Sequence, residues 1–99
     1  MKQLIRAYKD FYSLGYVHRD LKLSNLFLKK GKLKLADFGF AIEEFRTYRK
    51  FTYNVGSPYY MAPETLKENK YDVKSDIWAI GVIAFELVYG KAPWKDKVE

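Results

Sequence analysis

The chain contains no cysteine in its 99 residues. No disulfide framework can exist, which fits a reducing compartment. Acidic residues are scarce beside basic ones, 12 against 18, leaving a net charge of +6. That balance suits an anionic partner such as a nucleotide, nucleic acid, an acidic protein or a membrane surface. It equally suits a piece of a longer protein separated from acidic segments, so charge alone decides nothing. No sustained apolar run follows Met1-Lys2-Gln3-Leu4-Ile5-Arg6, so no signal peptide is expected. The apolar run Ile77–Phe85 is too short to span a membrane, which needs about 20 residues, and Glu86 follows it. No G-x-G-x-x-G occurs, so the glycine-rich phosphate cradle is missing. What is present is an apolar fraction of 48%, enough for a core, with aromatics at 18%.

The densest chemistry lies in His18-Arg19-Asp20-Leu21-Lys22-Leu23-Ser24-Asn25. Apolar Tyr16-Val17 precede it and Leu26-Phe27-Leu28 follow it. These flanks predict short strands with the polar residues on the loop between them. A loop held at both ends is a rigid mount for functional side chains. Asp20 can accept a proton. Lys22 can lie beside it in an extended loop and neutralise a phosphate. The Asn25 side-chain oxygen is a hard ligand suited to Mg²⁺. Taken alone, such a cluster is more often a surface salt bridge.

Two further stretches change that balance. Asp37-Phe38-Gly39 follows the alternating Leu33-Lys34-Leu35-Ala36, and Ala62-Pro63-Glu64 follows Gly56-Ser57-Pro58. The order H-R-D-L-x-x-x-N, then D-F-G, then A-P-E resembles the eukaryotic protein-kinase family. The resemblance runs from about Leu4 to Trp94. Lys22 and the Gly56-Ser57-Pro58 block resemble its serine/threonine branch. The words Leu-Ser-Asn-Leu-Phe-Leu and Gly-Ser-Pro-Tyr-Tyr-Met-Ala-Pro-Glu are similar to NIMA-related, polo-like and autophagy-initiating kinases, too briefly to choose a subfamily.

The resemblance implies roles. Asp20 would orient a substrate hydroxyl and take its proton, and Lys22 would stabilise the transferred phosphoryl group. Asn25 and Asp37 would hold Mg²⁺ on ATP, with Phe27 beneath the adenine ring. Phe38 would pack against His18, and Gly39 would provide backbone freedom. Arg19 would mark a kinase switched on by loop phosphorylation, through a clamp on the phosphate. Counting back from Gly56 places the phosphosite on Tyr53; the neighbouring Thr52 is favoured. Ser57 would hydrogen-bond near Asp20 and Lys22 in the loop that seats the substrate. Glu64 would pair with an arginine of a later helix, which these residues do not include. Asp76 would anchor the backbone of the catalytic loop, besides favouring the dipole of its own helix.

The remaining patterns supply the scaffold. Leu4, Ile5, Tyr8, Phe11, Tyr12 and Leu14 recur at helical spacing, with Gly15 as a C-terminal cap. This stripe is expected to be core. Residues 26–36 read as a hairpin turning at Lys29-Lys30-Gly31-Lys32, whose lysines are expected to be solvated. Residues 43–55 show no period and suit a mobile loop. The all-round apolar Ile77–Phe85 predicts a buried helix, stopped at Gly90 before Pro93 and Trp94, with part of it facing water in the isolated chain.

The expected fold is α+β and kinase-like: residues 1–99 as a partial domain from the mainly helical lobe, with a small β-hairpin at the catalytic loop. The expected function is ATP- and Mg²⁺-dependent transfer of a phosphoryl group to protein serine or threonine hydroxyls, in an intracellular, cytoplasmic setting with an upstream activating kinase. The 99 residues alone are expected to be inactive. The alternative is a non-catalytic interaction module derived from a kinase. A nucleic-acid binder has no support beyond charge.

Overall fold

A computed structural model describes residues 2–44 and 55–90. Thr52, Tyr53, Pro93 and Trp94 lie outside the described residues, as does most of the region expected to be a mobile loop.

Helix α1 spans Lys2–Ser13 and is followed by strand β1, Tyr16–Val17. Between them Gly15 adopts φ +91°, a left-handed conformation that stops the helix. A tight 3₁₀ turn over Leu23–Asn25 leads into the hairpin β2, Leu26–Lys29, and β3, Lys32–Leu35. The two strands pair antiparallel, with Leu26 opposite Leu35 and Lys29 opposite Lys32. Strand β4, Ile42–Glu43, returns to pair antiparallel with β1. The segments flanking the polar loop are thus strands, as expected, but they belong to two separate two-stranded sheets. A second 3₁₀ turn over Pro58–Tyr60 precedes α2, Pro63–Glu68, and α3, Val73–Tyr89.

The core forms where α1, the polar loop and α3 meet. Leu4 and Tyr8 of α1 pack with Leu21 of the loop and Ala79, Ile80 and Ile83 of α3. Burying each large side chain there is worth roughly 1.5–3 kcal/mol. Gln3 docks α1 onto the hairpin. Its side-chain oxygen accepts from Leu33 N at 2.8 Å, and its amide nitrogen donates to Gly31 O at 3.3 Å.

One expectation about burial needs correction. The α1 stripe holds as core at Leu4 and Tyr8, with Phe11 and Tyr12 half-buried, but Ile5 and Leu14 are exposed. Leu14 falls after the last helical residue, where the helical period no longer applies. Ile5 lies one position, about 100° of helical turn, past the buried Leu4. The central helix is buried on one side and faces water on another, as expected for these residues by themselves. Ser75, Asp76, Ala79, Ile80, Val82 and Ile83 are buried, whereas Ile77 and Trp78 are 53% and 40% exposed. Only one stripe of α3 meets α1 and the loop among the described residues. No helix among them is long and apolar enough to cross a membrane.

The start of α3 lies earlier than its apolar run. Asp72 is the N-cap, accepting from Lys74 N at 2.8 Å and Ser75 N at 3.3 Å, while Ser75 Oγ accepts from Asp72 N. This reciprocal capping box satisfies donors that a helix start otherwise leaves open. Asp76 therefore sits inside the first turn, free to face the loop. Gly90, at φ +75°, closes the helix as expected.

Candidate active site

Asp76 is the scaffold's handle on the polar loop. It is 2% exposed. Its Oδ2 accepts from His18 N at 2.7 Å and its Oδ1 from Arg19 N at 3.0 Å. Tyr8 Oη donates to the same Oδ2 at 2.7 Å. Burial holds this carboxyl above the ordinary carboxylate range, opposed by the hydrogen bonds from His18, Tyr8 and Arg19. Burial and the Asp76 charge push the Tyr8 phenol far up, so it remains a neutral donor.

The two backbone bonds hold Arg19 in an uncommon shape. Its φ is +73°, a left-handed conformation that costs a non-glycine residue energy. The Arg19 guanidinium lies over the Tyr71 ring, 5.0 Å from its centroid, and its Nε donates to Phe40 O at 2.7 Å. Tyr71 is itself tied to the segment just before Gly56. Its hydroxyl accepts from Val55 N at 2.6 Å and donates to Val55 O at 2.8 Å.

His18 is fully buried and joins two parts of the site. Its Nδ1 accepts from Asp20 N at 3.1 Å, which leaves the proton on Nε2, facing Ala36 O at 3.2 Å. The imidazole therefore links the backbone before Asp37 to the backbone of Asp20. Its ring also meets Phe38, centroid to centroid 5.5 Å, and Phe38 stacks on Phe11 at 5.3 Å. The sequence pointed to the ring contact and missed the two polar bonds.

Lys22 is extended, with φ −159° and ψ 164°. This brings its Nζ to 3.9 Å from Asp20 Oδ2 and 3.3 Å from Ser57 Oγ, which it meets as donor. Ser57 Oγ in turn lies 3.5 Å from Asp20 Oδ1. These are loose contacts of a kind that tighten around a substrate. Asn25 is buried, and its Nδ2 donates to Asp20 O at 2.8 Å. With the amide nitrogen committed, the amide oxygen is the ligand atom Asn25 has to offer. Ala36 N donates to Asn25 O at 3.0 Å, extending the hairpin by one pair beyond Leu26 and Leu35. Asp37 follows directly, exposed and at φ +59°. Asn25 and Asp37 thus flank the open end of the hairpin. Their oxygen donors fit a hard divalent cation such as Mg²⁺. No cluster of three His, Cys, Asp or Glu suited to a metal exists among the described residues. Phosphate and water oxygens would complete the shell.

The backbone freedom expected of Gly39 belongs elsewhere. Asp37 takes the positive φ, while Gly39 does not; a Cβ on Gly39 would meet Asp37 Oδ1 at an ordinary 3.4 Å. The constrained glycine is Gly56, at φ +99°, where a Cβ would stand 2.5 Å from Arg19 O. Backbone on both sides leaves no flexible atom to yield. Gly56→Ala is therefore expected to destabilise the chain by roughly 2 kcal/mol or more and to displace Arg19 and Asp20. Gly15→Ala supplies the control: its φ is +91° with nothing within 4 Å, so it bears the backbone strain alone. Denaturant titrations of both variants test this, and equal losses would count against the close approach.

Phe27 stands on β2, 54% exposed, and Glu64 lies in the first turn of α2. Neither touches the Asp20 cluster through a described hydrogen bond.

The whole chain, residues 1–99, matches the model of the protein kinase domain. The chain belongs to the protein kinase family. It is 40% identical over 93 residues to the serine/threonine-protein kinase dst1 of Dictyostelium discoideum, covering 93% of this chain and 13% of that protein. It is 38% identical to pakC of the same organism, over 97% of this chain and 20% of that kinase. It is 41% identical to serine/threonine-protein kinase 1 of Arabidopsis thaliana, over 93% of this chain and 11% of that one. The chain thus spans a fifth or less of these relatives' length. Its similarity is to the serine/threonine branch of the kinases.

Proposed function

We propose that the chain carries the catalytic loop and metal-binding segment of a serine/threonine protein kinase, and that residues 1–99 form the middle of its catalytic domain. The observation that carries this reading is the convergence of Asp20, Lys22 and Ser57, with Asn25 bonded to the Asp20 carbonyl. Relatives named as serine/threonine kinases support it.

Phosphoryl transfer asks little covalent chemistry of a protein; positioning and charge stabilisation supply most of the rate. Asp20 faces the substrate hydroxyl and takes its proton. The bond from that oxygen to the γ-phosphorus forms as the bond to the β,γ-bridging oxygen breaks, and ADP leaves. Lys22 lies within reach of both Asp20 and the transferred group, where its charge stabilises the transition state. Ser57 holds Lys22 and Asp20 in register. Asn25 and Asp37 are the residues that would hold Mg²⁺, which would supply charge neutralisation at the ATP phosphates. Phe27 offers an apolar surface for the adenine ring. The cavity that Asp20 lines beneath the loop, about 20 Å³, is water-sized and too small for a substrate.

The test is a phosphotransfer assay on the full-length protein with peptides carrying serine, threonine or tyrosine alone. Label is expected on serine and threonine peptides, and chelation of Mg²⁺ should abolish it. No transfer with Mg²⁺ and ATP present would favour the non-catalytic interaction module. The 99 residues by themselves contain no glycine-rich phosphate loop, and are expected not to turn over.

A further inference from the structure

The catalytic loop is held by a carboxylate that is itself held from a third element. Asp76 comes from α3, and the amides it grips come from the loop. The Tyr8 hydroxyl reaches the same carboxylate from α1, 68 positions away in sequence. None of the proposed catalytic steps uses it. We propose that Tyr8 is a positioning residue for Asp20, acting through the Asp76 carboxylate.

The geometry gives the reason. The two backbone amides already take one carboxylate oxygen each. A third donor on Oδ2, from a rigid helix, tightens that hold and ties it to α1. Tyr8 is well placed to do so because its ring is locked. It is 4% exposed and packed with Leu4, Leu21, Ala79, Ile80 and Ile83. It also lies against Tyr12 and Phe11, at 6.3 Å and 6.2 Å between ring centroids. The fixed carboxylate holds Arg19 at φ +73°. That backbone turn decides where Asp20, the next residue, points. A buried tyrosine in an apolar stripe needs a partner for its hydroxyl; here the partner is the anchor of the active site.

This inference rests on the phosphotransfer reading for its consequence, but not for its geometry. The decisive variant is Tyr8→Phe, which removes one oxygen and keeps the ring. Two readouts are taken on the full-length protein. Amide hydrogen exchange at His18 and Arg19 should accelerate by about tenfold, the effect expected from weakening a charge-assisted network, while core amides of α1 and α3 stay protected. Steady-state phosphotransfer should show a lower kcat with KM for ATP unchanged. Unaltered exchange at His18 and Arg19 would overturn the proposal. So would uniform loosening across the core, which would make Tyr8 a packing residue only. Faster exchange with an unchanged kcat would refute the coupling to Asp20. If the unmutated protein transfers no phosphate, the kinase reading fails first, and the exchange data still decide whether Tyr8 holds the loop through Asp76.

Discussion

Asp20→Asn in the full-length protein is expected to lower phosphotransfer by about a hundredfold or more, the range for losing a positioned proton acceptor, while the fold survives. The substitution keeps the size of the side chain and changes only its charge and proton affinity. The bonds that fix Asp20 in place are made by its backbone: its N donates to His18 Nδ1 and its O accepts from Asn25. An amide at position 20 leaves both intact. What changes is the carboxylate that faces Lys22 and Ser57. Asp20 is buried, and its carboxylate contacts there, at 3.9 Å and 3.5 Å, are long, so an isosteric neutral amide gives up weak contacts and removes a desolvated charge. The midpoint of thermal unfolding should therefore move little while kcat collapses. A variant retaining most of its kcat would remove Asp20 from the proposed role.

Asp76→Ala is expected to have the opposite character, a large loss of stability with activity lost as a consequence. Three donors converge on this carboxylate: His18 N, Arg19 N and Tyr8 Oη. Removing it leaves all three in a region where His18 is fully buried and Tyr8 nearly so. Each buried donor without a partner costs about 1–3 kcal/mol. Even with some relaxation, a total loss of about 3 kcal/mol or more is expected, a large part of the 5–15 kcal/mol that typically holds a domain together. The loop is expected to fail first, because Arg19 has no reason to keep its positive φ once both amides are released. Chemical denaturation with the unfolding midpoint as readout checks the magnitude. A midpoint within the usual scatter of surface substitutions would show that the three donors find other partners. The two variants together separate chemistry from scaffold: Asp20 carries the proposed proton transfer, and Asp76 holds the loop backbone.

The candidate residues of the proposed site were legible because they lie close along the chain. His18, Asp20, Lys22 and Asn25 fall within one loop, and residue type at fixed spacing is enough to name them. The hairpin was legible too, since Leu26–Leu28 and Leu33–Leu35 alternate around a glycine turn. Helix α3 was legible in kind but not in extent. Its apolar run begins at Ile77, whereas the helix begins at Val73, because Asp72 and Ser75 cap it by hydrogen bonds that hydropathy does not register.

By itself, the sequence determined family membership and the candidate residues: an acid, a lysine, two oxygen-bearing side chains and their order along the chain. Local spacing encodes these, since each motif occupies only a few residues. Tertiary structure alone decided how they are held. Tyr8, His18 and Asp76 are separated by 10 to 68 positions, yet meet within hydrogen-bond distance. Helix α3 and helix α1 must pack before that junction exists. The same holds for Gly56 against Arg19, and for the positive φ that falls on Asp37 instead of Gly39. Motif spacing carries no information on which buried donor meets which acceptor. That pairing follows from packing, because a buried polar group without a partner costs more than the fold can spare.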